Sequence, residues 1–82
     1  MYEIELSNKV KKQLKQFSRD LQYRIGMAFE RIRIRPFHFA KRKQGTPYFI
    51  LRIGEYRAIL DIKQNKLIIL VLEIGPRKKI YK

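Results

Sequence analysis

The sequence predicts an α+β domain, a two-helix hairpin packed on one face of an antiparallel sheet, in the order β-α-α-β-β-β. Three observations predict it. Residues 2–6 alternate apolar and acidic side chains, as a half-buried strand does. Residues 10–32 repeat apolar positions at helical spacing, and residues 48–74 fall into three β-type segments separated by turn residues. No repeat, low-complexity tract or linker divides the chain, so a single domain over residues 1–82 is expected.

The elements follow in order. Tyr2-Glu3-Ile4-Glu5-Leu6 is the first strand, and Ser7 or Asn8 offers an N-cap for the helix behind it. Val10, Leu14 and Phe17 form that helix's apolar stripe, while Lys9, Lys11, Lys12 and Lys15 occupy its other side. Ser18-Arg19-Asp20 breaks the chain, and Ser18 or Asp20 can cap a second helix. There Leu21, Ile25, Ala28, Phe29 and Ile32 share a side, and Pro36 stops the helix, because the residue before a proline avoids helical geometry.

Residues 36–47 are expected as a basic loop rich in turn residues. Tyr48 to Ile53, Tyr56 to Lys63 and Lys66 to Ile74 then form a meander, turning at Gly54-Glu55 and at Gln64-Asn65. The apolar run Leu67 to Leu72 predicts that the last of these is the central strand, covered on both faces. Gly75-Pro76 is expected to break it, leaving Arg77 to Lys82 as a basic tail. Two helices cover one face only, so the other is open to a partner or substrate.

Composition narrows the function. Twenty basic residues face seven acidic ones, a formal charge of +13 spread over both halves of the chain. Such an excess favours polyanions, nucleic acid ahead of membrane surfaces, although a lysine-rich surface also serves solubility or heat tolerance. There is no cysteine and a single histidine, His38, so disulfides and thiolate metal sites are excluded and a histidine metal cluster has no material. No cofactor is expected. Residues 1–5 do not look like a signal peptide and no apolar run is long enough to cross a bilayer, so a soluble cytoplasmic protein is expected.

Catalytic chemistry is restricted by elimination. Ser7 and Ser18 sit where a helix cap explains them, and no glycine-rich phosphate loop exists. The carboxylates Glu3, Glu5, Asp61 and Glu73 show no catalytic pairing. Any catalysis therefore falls to arginine, lysine and tyrosine. RNA makes that sufficient, because its own 2′-hydroxyl lies beside the phosphorus it attacks. Guanidinium groups suit the charge that gathers on the phosphorane-like transition state, being always charged and able to donate two parallel hydrogen bonds. Arg52 and Arg57 flank the Gly54-Glu55 turn, Arg77 follows Pro76, and Tyr81 lies four residues later. The alternative employment of Arg52 and Arg57 is pairing with Glu55, Asp61 or Glu73, and that of Tyr81 is capping the sheet edge.

Two stretches resemble a known family. Leu51-Arg52-Ile53-Gly54-Glu55-Tyr56-Arg57 is similar to the R-x-G-D-Y-R strand–turn–strand of the RelE/ParE toxin superfamily. Val71-Leu72-Glu73-Ile74-Gly75-Pro76-Arg77-Lys78-Lys79-Ile80-Tyr81 is similar to its closing V-x-x-I/V-G-x-R-x-x-x-Y. Length, element order and motif spacing agree along essentially the whole chain, and the fuller resemblance is to the RelE type. The resemblance implies a metal-independent endoribonuclease that cuts messenger RNA in the ribosomal A site by 2′-hydroxyl attack. It implies three partners: messenger RNA, the ribosome and a cognate RelB-like antitoxin protein.

By the same resemblance Arg57 holds the scissile phosphate, Arg77 serves the leaving 5′-oxygen, Tyr81 stacks on a base or assists proton removal, and Arg52 aids RNA binding. Lys41, Arg42 and Lys43 are expected to contact RNA, together with Lys78 and Lys79. The chain departs from the pattern at Tyr48 and Ile50, where some relatives carry lysines, so the general base falls to Tyr81, Arg52 or a lysine of residues 41–43. His38 does not match the C-terminal histidine of some relatives and is expected as a loop or packing residue. Two rival functions on this fold are a ParE-like DNA gyrase inhibitor and a catalytically silent RNA- or ribosome-binding module.

Overall fold

A computed structural model describes residues 1–80 of the chain. The order is β1 (Glu3–Leu6), α1 (Asn8–Gln16), α2 (Arg19–Ile34), α3 (Pro36–Phe39), β2 (Ala40–Arg42), β3 (Phe49–Ile53), β4 (Tyr56–Lys63), β5 (Ile68–Pro76) and α4 (Arg77–Ile80). Five strands form one sheet in the order β1-β5-β4-β3-β2. The predicted meander is β3-β4-β5, antiparallel throughout, whereas β1 joins it parallel to β5. A parallel neighbour needs a long return path, and the helical hairpin supplies it.

Serines cap both long helices. The Ser7 hydroxyl accepts from the Val10 N–H at 3.1 Å, and that of Ser18 from the Leu21 N–H at 3.2 Å. One face of the sheet and one side of each helix close the core. Val10, Ile25 and Ile32 meet Leu51, Ala58, Leu60, Ile69, Val71 and Ile74, all nearly sealed from water. A bulge at Ile59/Leu60 disturbs the β4–β5 ladder. α1 satisfies the strand there: Ser7 Oγ donates to the Leu72 carbonyl at 3.0 Å, and Gln13 Oε1 accepts from the Ile74 N–H at 3.0 Å.

Several expectations are corrected. Residues 36–47 are not all loop: Pro36 opens the helical turn α3, and β2 adds an edge strand whose Lys41 lies opposite Ile50. The central strand is β4, because β2 lengthens the sheet on the side the sequence left empty. β5 is an interior strand with Ile69, Val71 and Ile74 buried, but Ile68, Leu70 and Leu72 on its other side are half-buried. The second hairpin turn takes four residues, with Leu67 at φ 55° and its carbonyl accepting from the Glu3 N–H at 2.9 Å. Gly75-Pro76 does not interrupt β5, which runs through both residues before the chain turns into α4. α4 lies on the second face at that end, where Ile80 Cδ1 stands 3.5 Å from the position a Gly75 Cβ would take. That face is therefore only partly open.

Candidate active site

The site is built around the two-residue turn Gly54-Glu55. Gly54 has φ 58°, a conformation open to glycine at little steric cost, and this lets β3 reverse into β4 within two residues. Strand register then fixes the arginines. Arg52 lies directly opposite Arg57 across β3 and β4, and Arg57 lies opposite Gly75 across β4 and β5. Residues so paired share a face of the sheet. It is the face away from the core, since Leu51, Ile53 and Ala58 between them point into the helices' side.

Arg57 is 8% exposed, and its Nη1 donates to the carbonyls of Gly54 at 2.7 Å and Tyr56 at 2.8 Å. Those bonds orient the guanidinium without neutralising it. Among the described residues neither Arg52 nor Arg57 has a carboxylate within salt-bridge distance. Glu73 is taken by Lys9 at 3.1 Å and Asp61 by Lys63 at 3.2 Å, which removes two of the three alternative partners. Among the described residues no buried side-chain nitrogen lacks a partner, so the nitrogens of Arg57 that make no bond keep contact with solvent.

Arg77 is brought to the same turn by its backbone. Its N–H donates to the Glu55 carbonyl at 3.1 Å, pinning the first residue of α4 to the hairpin tip. Gly54 thus holds the guanidinium of Arg57 while Glu55 holds the main chain of Arg77. Glu55, Pro76, Arg77 and Lys78 line an open recess of about 470 Å³ beside them. Lys78 and Lys79 are exposed on α4, and Tyr81 lies outside the described residues.

The remaining basic residues divide. Lys41 shares the face of Arg52, through its pairing with Ile50, while the Arg42 guanidinium lies 6.0 Å from the Phe49 ring centre. Lys41, Arg42 and Lys43 border a second recess, of about 260 Å³, away from the hairpin tip. His38 is exposed on α3, its ring edge-on to that of Phe39 at 4.8 Å between centres. Among the described residues no group of histidines and carboxylates is disposed to hold a metal ion. No helix of the structure is long and apolar enough to cross a membrane.

Sequence reasoning missed Arg24 and Arg31. Both line a groove of about 340 Å³ with Arg52 and Gly54, between α2 and the end of β3. Their seven-residue spacing, which repeats a helix flank, was the signal available.

Comparison of this architecture with solved structures decides the fold. A RelBE toxin–antitoxin complex from Mycobacterium tuberculosis matches at a TM-score of 0.81 and 19% identity, over 93% of this chain and 98% of that one. The isolated RelE toxin of E. coli matches at 0.80 and 13%, over 99% and 92%. The chain has the RelE fold. An archaeal RelE–RelB complex from Pyrococcus horikoshii agrees, at 0.80 and 22% identity over 93% and 94%. No family model matches the sequence. No curated protein matches it either. On this fold the hairpin tip, the end of β5 and the start of α4 form one rim, along which Arg52, Arg57 and Arg77 stand, while Arg42 does not.

Proposed function

We propose that this chain is the toxin of a toxin–antitoxin pair, an endoribonuclease that cuts messenger RNA in the ribosomal A site until a RelB-like antitoxin binds it. The observation that carries this reading is the attachment of Arg57 and Arg77 to adjacent residues of one turn, with Arg52 facing Arg57 across the hairpin. The solved complexes on this fold support the antitoxin half of the reading, since their toxins are paired with RelB proteins.

In the proposed reaction the RNA 2′-oxygen attacks the neighbouring phosphorus and the bond from phosphorus to the 5′-oxygen breaks. The products are a 2′,3′-cyclic phosphate and a 5′-hydroxyl. Arg57 holds the scissile phosphate, and its charge, oriented by two carbonyls and offset by no carboxylate among the described residues, meets the negative charge of the transition state. Arg77 stabilises the leaving 5′-oxygen, which takes up a proton from water or from the base that removed one from the 2′-hydroxyl, and Arg52 binds the RNA strand. The 2′-hydroxyl proton goes to Tyr81 as a phenolate or to a lysine of residues 41–43 as a free amine, whereas the always-charged Arg52 has no lone pair to receive it. Lys41, Arg42, Lys43, Lys78 and Lys79 supply charge toward the messenger and ribosomal RNA backbones.

Primer extension on messenger RNA in programmed ribosomes tests the proposal. Codon-phased cuts that disappear in Arg77→Ala are the expected result. Intact messenger RNA accompanied by gyrase-dependent DNA breaks would replace it with the ParE-like reading. Binding to ribosomes without either kind of break would leave a silent binding module.

A further inference from the structure

α2 carries a second apolar stripe, on the side opposite its core contacts. Tyr23, Met27 and Ile34 recur at spacings of four and seven, and they are 69%, 44% and 64% exposed. The stripe runs about 16 Å along the helix. Its Tyr23–Met27 end opens into the groove beside β3, where Phe39, itself 39% exposed, lines the adjoining wall. The edge of the sheet is also incomplete there. β2 pairs with Phe49, Ile50 and Leu51 only, so Arg52 and Ile53 have no strand beside them on that side. Tyr23, Met27 and Ile34 take no part in the core, and of the groove's arginines the catalytic proposal uses Arg52 alone.

We infer that this groove and stripe receive an amphipathic segment of an acidic protein, apolar residues on Tyr23, Met27 and Phe39 and carboxylates on Arg24, Arg31 and Arg52. The inference rests on the toxin–antitoxin reading and assigns the antitoxin a seat. Charge complementarity selects the occupant. The three arginines border the groove, and among the described residues only Arg24 has a carboxylate partner, Asp20 at 3.2 Å on the exposed surface. A second copy of this chain would bring +13 against +13. A nucleic-acid backbone would satisfy the arginines but leave Met27 and Ile34 in water. An acidic amphipathic helix covers both kinds of surface. Its carboxylates on Arg52 would also deny RNA one wall of the proposed site.

The test uses the full chain, the small acidic protein encoded beside its gene, and a 12-nucleotide single-stranded RNA. Methionine methyl signals report the contact directly, since the chain has two methionines and Met1 serves as the control. The acidic protein is expected to shift the Met27 signal. Tyr23→Ala with Met27→Ser, and separately Arg24→Glu with Arg31→Glu, are each expected to raise the dissociation constant at least tenfold. All four residues are exposed, so the unfolding temperature of the free variants should stay that of the parent chain, which separates lost contact from lost fold.

A complex that forms with Met27 unmoved and both variants binding normally overturns the inference while the toxin–antitoxin reading survives. No complex at all overturns both. A Met27 shift with the RNA and none with the acidic protein hands the groove to nucleic acid. Self-association of the free chain that the variants abolish hands it to a second copy. Either of these last two results also overturns the inference.

Discussion

The two faces of the sheet are made by the same strands and do opposite work. On the helix side Leu51, Ala58, Leu60, Ile69, Val71 and Ile74 are at most 3% exposed and meet α1 and α2. On the other side the same strands present Arg52, Arg57 and the half-buried Ile59, Leu70 and Leu72. Burial on the first side supplies the stability that lets a mixed, charged surface persist on the second. A strand alternates its side chains, so cohesion and chemistry stand one residue apart. Leu60 and Ile59 are neighbours in sequence and belong to different faces.

That pair offers the sharpest way to break the comparison. Leu60→Ala is expected to cost about 2–5 kcal/mol in denaturant unfolding, by lost burial and a residual cavity. Ile59→Ala should cost about 1 kcal/mol, since its side chain is already partly in water. Equal costs would mean the second face is as much core as the first.

Arg57→Ala is expected to lower RNA cleavage about 10²–10³-fold, the loss found when one preorganised transition-state donor is removed. Arg57→Lys should restore little, because an ammonium cannot reproduce an oriented guanidinium fork. Single-turnover cleavage measures both, and a rate within threefold of the parent in Arg57→Ala would remove Arg57 from the mechanism.

The turn beneath that arginine gives a smaller effect. Gly54→Ala should cost about 1–2 kcal/mol, because a side chain at φ 58° is strained. The strain is backbone in origin, since the added Cβ would meet only Arg24 Nη1, at an ordinary 3.7 Å. The opposite hairpin supplies the control. Leu67 already occupies φ 55°, so Leu67→Gly should change stability by less than about 1 kcal/mol, in the stabilising direction. Thermal unfolding of the two variants side by side gives the comparison. A stabilised Gly54→Ala would show that this turn does not need its glycine.

Much of this was legible in the sequence because it is local. Ser7 and Ser18 among the offered caps, Pro36 as a stop and Gly54-Glu55 as a turn follow from spacing and residue type. So does the flanking of that turn by Arg52 and Arg57, which the observed register sets directly opposite each other. The second hairpin turn is two residues longer than the Gln64-Asn65 pair implies. Its geometry depends on Leu67, which is hydrogen-bonded to β1, an element far away in the chain.

The amino-acid sequence by itself determined the α+β class, the positive charge, the absence of thiol chemistry and a hairpin with an arginine on each strand. Only tertiary structure decided that β1 pairs parallel with β5, that β4 is central, and that α4 turns back to tie Arg77 to Glu55. It also decided that Arg24 and Arg31 of α2 meet Arg52 of β3 in one groove. The reason is physical: spacing and turn chemistry specify neighbours along a chain, whereas strand order and the meeting of distant side chains are settled by which surfaces exclude water together.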